Sequence, residues 1–303
     1  MLKKVISLFA LAALLTPFGG AALAISFDFT PTGYVWMNGA RYKTNLERNN
    51  FNSDLGRIES KIGVNVLTLW AQATIEPYFA YYGVSSTDRH SYYNNSISGI
   101  GIQIMPLLGI SSVDWLQDLK IFYETLSVHW TTKDDEDVND NPELYYKEDC
   151  RSGVEIWHTW NEPGPYVVEN RHMLWGELWA HASYRTTNFG YDKLDNYIAY
   201  FQPKVGIYLF KFFDNLSIEP YFKADVIESG KTYSYLNNMD YGVGVRIRPF
   251  VSGKLFGFDL QPLKKLKFFV ESLAASYLKD NPREGNDFVN HDVRFGIDFD
   301  YGR

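Results

Sequence analysis

Ionisable residues recur at even spacing along this sequence, as in Arg246 and Arg248, Glu219 and Lys223, Arg294 and Asp298, or Glu177, Trp179 and Arg185. Positions an even number of residues apart share one face of a β-strand, so each run predicts a charged strand face. A surface built from such faces can pair opposite charges, hold hydrated ions or bind polar solutes. Rings of Arg and Lys favour anions, and rings of Asp and Glu favour cations.

The opposite faces are apolar. Val243, Val245 and Ile247 alternate with the arginines near residue 247, and Val293, Phe295, Ile297, Phe299 and Tyr301 alternate with Arg294, Gly296, Asp298 and Asp300. The charged set comprises Arg57, Lys61, Lys120, Arg151, Arg185, Lys204, Lys223, Arg246, Arg248, Lys267 and Arg294. Its acids are Glu59, Glu76, Glu124, Glu155, Glu177, Glu219, Asp225, Glu271, Asp298 and Asp300. Trp36 and Trp179 join it as flat faces for sugars or other planar solutes. With bases and acids nearly balanced, the set suits either a weakly selective pore or an interior filled by its own ion pairs.

The elements that must position these residues are twelve alternating segments. They lie near 32–45, 57–68, 74–84, 97–108, 118–130, 150–160, 173–188, 197–211, 217–228, 239–250, 265–279 and 290–301. Most exceed the usual length of a globular strand and suit a tilted crossing of a bilayer. In hydrocarbon every backbone N–H and C=O needs a partner, which a closed sheet provides. The fold class predicted is all-β, a twelve-stranded antiparallel transmembrane barrel. Five prolines fall within the segments (Pro77, Pro106, Pro203, Pro220, Pro249). Four lie near strand ends, whereas Pro203 sits deeper and predicts a bulge, because each proline deletes a ladder donor.

The segments form two sets of six. Sliding the sequence by 143 residues lays 33–106 on 176–249 with 20 identities in 74 positions. Ile75-Glu76-Pro77-Tyr78-Phe79 recurs as Ile218-Glu219-Pro220-Tyr221-Phe222, Lys61 as Lys204, and Trp36 as Trp179. A small shift then carries Lys120 and Glu124 onto Lys267 and Glu271. Such self-similarity predicts two copies of one six-strand unit, about 26–160 and 173–303, within one barrel domain at 25–303. If the 229–238 connection closes a regular hairpin, Glu219 faces Arg248, while Glu76 faces Met105 and remains the freer carboxylate.

Residues 1–24 read as a secretory signal: Lys3 and Lys4, an apolar stretch, then Ala22-Leu23-Ala24. The net charge of −7 without a basic stripe argues against nucleic acid. Cys150, the single cysteine, offers no disulfide framework. The longer connections, 46–56, 85–96, 131–149, 189–196, 229–238 and 280–289, are expected at the outer surface. In the third, the Asp- and Asn-rich run from Lys133 to Glu143 reads as a solvated acidic loop, with Ca²⁺ or lipopolysaccharide contact as the sharper alternative. No Gly-x-Ser-x-Gly motif accompanies the six histidines, so neither an enzyme nor a cofactor or metal site is expected.

The last segment, Arg294-Phe295-Gly296-Ile297-Asp298-Phe299-Asp300-Tyr301, resembles the C-terminal assembly signal of Gram-negative outer-membrane β-barrel proteins. Gly296, Phe299 and Tyr301 are its fixed positions, and Gly302-Arg303 extends beyond the usual terminal aromatic. The resemblance implies the barrel-assembly machinery as a partner, along with the lipid bilayer and lipopolysaccharide. The run Leu174-Trp175-Gly176-Glu177-Leu178-Trp179 and the following Ser183 to Phe189 resemble the barrel portion of bacteriophage-adsorption and exopolysaccharide-export porins. Those proteins carry a helical-repeat region that has no counterpart in this sequence. The expected role is a porin-like outer-membrane channel for small hydrophilic solutes or saccharides, with both termini periplasmic. The alternative is a surface receptor, an adhesin or a structural barrel with a charge-filled lumen.

Overall fold

The computed structural model describes residues 25–27, 29–44, 51–69, 73–87, 94–106, 114–130, 147–161, 174–187, 194–212, 216–230, 237–255, 258–259, 261–278 and 290–302. The proposed signal at 1–24, most of the acidic connection and the tip of nearly every other long connection lie outside these residues.

Twelve long strands follow one another: β1 (Thr30–Thr44), β2 (Phe51–Asn65), β3 (Ala73–Ser86), β4 (Asn95–Met105), β5 (Leu119–Trp130) and β6 (Lys147–Trp160). They continue with β7 (Leu174–Thr187), β8 (Leu194–Ile207), β9 (Leu216–Ser229), β10 (Asn238–Arg248), β11 (Leu266–Tyr277) and β12 (Asn290–Tyr301). Each pairs antiparallel with the next, and β12 closes on β1, Tyr301 opposite Val35 and Asp292 opposite Thr44. The sheet is a closed barrel, in which no long strand leaves an edge unpaired. Short strands at Leu67–Leu69 and Phe210–Phe212, with a helical turn at Asp114–Gln117, lie at the end where the chain enters and leaves.

Alternation sorts the side chains as the pattern requires. Every strand presents large apolar groups outward, among them Ile62, Phe79, Ile100, Phe222, Val243 and Phe295. Ile100 is 70% and Val243 62% exposed, while Arg246 and Arg248, alternating with Val243 on β10, are buried inside. A soluble sandwich would do the reverse, burying the valines and wetting the arginines. An apolar belt around a closed, charged interior is the arrangement of a membrane barrel. Val243→Arg is therefore expected to cost about 2–4 kcal/mol, since it places a charge on the lipid face near mid-strand. Urea unfolding of the folded variant in phospholipid vesicles measures that cost.

Two expectations about the ladders are corrected. No bulge occurs at Pro203: Phe201 pairs with Val226 and Lys204 with Lys223, so the register on β9 is the same on both sides of the proline. The intervening pairs simply drop out of the β8–β9 ladder, because a missing N–H interrupts bonding without adding a residue. The β9–β10 and β3–β4 hairpins are also two residues out from the predicted register. Glu219 faces Arg246, with Ser217 facing Arg248. Likewise Glu76 faces Gln103, with Thr74 facing Met105. A shift of two preserves the face of every side chain, which is why alternation alone could not fix it. Pro106 and Pro249 fall just beyond β4 and β10 rather than within them.

Candidate functional site

The interior is organised by ion pairs that join strands across the lumen. At the end nearest the termini, Glu177 is the hub. Lys267 Nζ lies 3.4 Å from it, Lys204 Nζ 3.7 Å and Arg248 Nη2 3.8 Å, and Arg246 binds it directly. Glu219, fully buried, takes Arg246 Nε at 2.7 Å and Arg248 Nε at 3.3 Å. Arg246 also stacks on Trp175, with Cζ 3.7 Å from the ring centroid. A buried guanidinium sandwiched between carboxylates and an indole face is held by both charge and ring quadrupole.

Around mid-barrel, Lys61 reaches Glu124 at 3.5 Å and Glu155 at 3.3 Å, bridging β2 to β5 and β6. Tyr78 and Tyr82 donate to Glu124 Oε1 at 2.8 and 2.7 Å. Gly101 makes this possible: a Cβ there would lie 2.5 Å from Tyr78 Cζ, so the ring can lie across β4 only over a glycine. The arrangement recurs in the second half, where Tyr221 lies over Gly244 and donates to Glu271 Oε1 at 2.6 Å. Lys223 completes that group, 3.2 Å from Glu271 and 2.8 Å from Asp225. Glu124 holds two phenol donors and Glu271 one, so Tyr221→Phe should lower stability by about 1–3 kcal/mol and Tyr78→Phe by less. Denaturant midpoints of the two variants in detergent, compared with the parent, check this order.

At the loop end, Arg294 gathers Asp225 at 3.1 Å, Asp240 at 2.6 Å and Asp292 at 2.5 Å, and Arg151 pairs with Asp149 at 2.6 Å. The two tryptophans are fixed by their edges. Trp36 Nε1 donates to Asp298 at 2.8 Å, and Trp179 Nε1 to Glu155 at 3.2 Å.

Between these groups lies a cavity of about 320 Å³. The structure brings Trp36, Lys61, Arg151, Glu155, Trp179 and Arg185 to its wall. Lys204, Lys223, Arg246, Lys267, Glu271, Arg294 and Asp298 line it too. Glu124, Glu177, Glu219 and Arg248 are buried behind or below it. Lys120 stands apart, its Nζ 5.9 Å from the Tyr34 ring. Glu76 is buried near the terminal end, accepts from Thr32 Oγ1 at 2.6 Å, and has no recorded ion pair among the described residues. Gly296 lies tight against Gly39 and Ala40 of β1, and Tyr301 is exposed on the outside of β12.

Several residues central to this interior escape a reading of charge alternation alone. Trp175 carries no charge but lies two residues before Glu177 and so on the same face, almost fully buried, in contact with Arg246, and with its ring over Gly206. Tyr78 and Tyr221 are on the charged faces, and the glycines spaced to receive them, Gly101 and Gly244, were the available signal. Asp149, Asp240 and Asp292 lie at strand beginnings, where sequence does not separate a loop acid from a lumen acid. Ser183 Oγ sits 3.1 Å from His181 Nε2 and accepts from Arg185 Nε at 3.2 Å.

No protein-family model and no curated protein matches the chain. Among solved structures it is similar to a bacterial polysaccharide outer-membrane secretin, at 9% identity and a TM-score of 0.41, covering 89% of this chain and 98% of that one. It is similar to the NanC porin at 8% identity and a TM-score of 0.38, covering 88% and 98%. An outer-membrane channel from Pseudomonas putida F1 shares 12% identity and a TM-score of 0.34, covering 94% and 100%. The chain is a closed twelve-stranded antiparallel β-barrel with an apolar belt and a charged lumen.

Proposed function

We propose that this barrel is a narrow outer-membrane channel for small hydrophilic solutes, saccharides among them. The observation that carries the reading is the cavity of about 320 Å³ held inside the closed wall and lined by charged and aromatic side chains. Hydrated polar walls lower the cost of moving a polar solute past hydrocarbon. In this reading both termini face the periplasm, the long connections face outward toward lipopolysaccharide, and Gly296, Phe299 and Tyr301 engage the barrel-assembly machinery. Catalysis is no part of the reading.

A specific observation favours a second reading, a structural barrel filled by its own charges. The ion pairs of Glu177 with Arg246 and Lys267 span non-neighbouring strands and so cross the lumen. Planar-bilayer recording of the purified, folded chain separates the two. Discrete conductance steps are expected. Their absence across repeated insertions of heat-modifiable, folded protein would overturn the channel reading in favour of the filled barrel.

A further inference from the structure

The near balance of charge over the whole lumen conceals a sorting. The cavity wall carries nine Lys and Arg against five Asp and Glu. Several of the acids that neutralise the interior, Glu124, Glu177 and Asp292 among them, approach their partners from outside that wall. Two wall cations have no carboxylate partner among the described residues. Arg57, on β2, is exposed into the cavity. Arg185, on β7, is positioned by Ser183 through its Nε and by the Tyr200 ring, 5.8 Å from Cζ, while its two terminal nitrogens have no acceptor among the described residues. Trp36 and Trp179 line the same cavity, their edges tied to Asp298 and Glu155, with one face of Trp179 stacked on Tyr200 at 5.5 Å between centroids.

We propose that this cavity is a binding site for a carboxylate-bearing saccharide. Arg185, with Arg57, takes the carboxylate, and the tryptophan faces take the sugar ring. The proposal rests on the reading of the lumen as a solute site and adds the solute's chemical class. A guanidinium presents a planar fork of donors matched to two carboxylate oxygens. Its orientation by a serine and a tyrosine ring leaves that fork directed at the void, and the local cation excess attracts an anion. Neutral sugars satisfy the aromatic faces but leave both guanidiniums unpaired. Small anions do the converse.

The test is intrinsic tryptophan fluorescence of the full chain folded in detergent, titrated at low salt with glucuronate, glucose and acetate. Saturable quenching by glucuronate is expected, with at least about tenfold weaker responses to glucose and acetate. Arg185→Gln should weaken glucuronate at least about tenfold, from loss of a charge-assisted contact, whereas Arg185→Lys should recover part of it. Both variants are scored only as heat-modifiable, folded protein; if Arg185→Gln does not fold, Arg57→Gln takes its place with the same expected direction. Equal responses to glucuronate and glucose overturn the role of the arginines, and equal responses to glucuronate and acetate overturn the role of the ring. Quenching without bilayer conductance leaves this site standing and removes the channel. Conductance without glucuronate quenching removes this site and leaves the channel.

Discussion

Glu177→Gln is expected to destabilise the folded barrel by about 3–5 kcal/mol, because removing one side of a buried ion pair strands the other. Four cations converge on this carboxylate: Lys204, Arg246, Arg248 and Lys267. With the charge gone, Glu219 alone faces both arginines, and Lys204 and Lys267 lose their partner at this end, Lys267 keeping only Asp298 at 3.7 Å. Urea unfolding in detergent measures the loss. Adding Lys267→Gln to Glu177→Gln should return about 0.5–3 kcal/mol of it, the range for residues sharing one network. A strictly additive double variant would show that these two charges do not interact across the lumen. Glu76→Gln, at a carboxylate with no ion pair among the described residues, should cost less.

Conductance should respond most to the terminal end. Replacing Glu219, Arg246 and Arg248 together by serine removes three long charged side chains at and below the cavity wall and leaves Lys204 and Lys267 against Glu177 and Asp298, a balanced remainder. A severalfold rise in single-channel conductance is expected in planar bilayers, with folding checked by heat-modifiable mobility. The obstruction is one-sided. On the opposite wall the equivalent positions are Glu76 facing Gln103, which carries no guanidinium. Unchanged conductance in the triple variant would place the narrowest point elsewhere along the lumen.

The twelve strands were legible because alternation has a period of two and each face meets a different medium. Val243, Val245 and Ile247 had to part from Arg246 and Arg248 whichever side was lipid. Register was less legible, since sliding Glu219 from Arg248 to Arg246 alters no face, and the long hairpin connection between β9 and β10 does not fix it. Alternation groups the charged residues by face but does not give their partners. Contacts such as Lys61 with Glu155 or Arg294 with Asp225 join strands that are not neighbours, and they depend on barrel curvature that sequence spacing does not encode. Pro203 misled for a simpler reason. A missing donor can be absorbed as a gap in the ladder without an extra residue.

The tryptophan bonds of β1 and β7 bear on where this chain could begin. Trp179 ties β7 to Glu155 of β6 along a continuous stretch of polypeptide, and Trp36 ties β1 to Asp298 of β12 where the two ends of the chain meet. The two seams use the same bond, an indole N–H to the carboxylate of the preceding strand around the wall. Nothing in the chemistry of the seam distinguishes the break from the join. Linking the start of β1 to the end of β12 and cutting between β6 and β7 would give a circularly permuted barrel with the same two clasps, and six-strand halves made as separate chains would each carry one side of both.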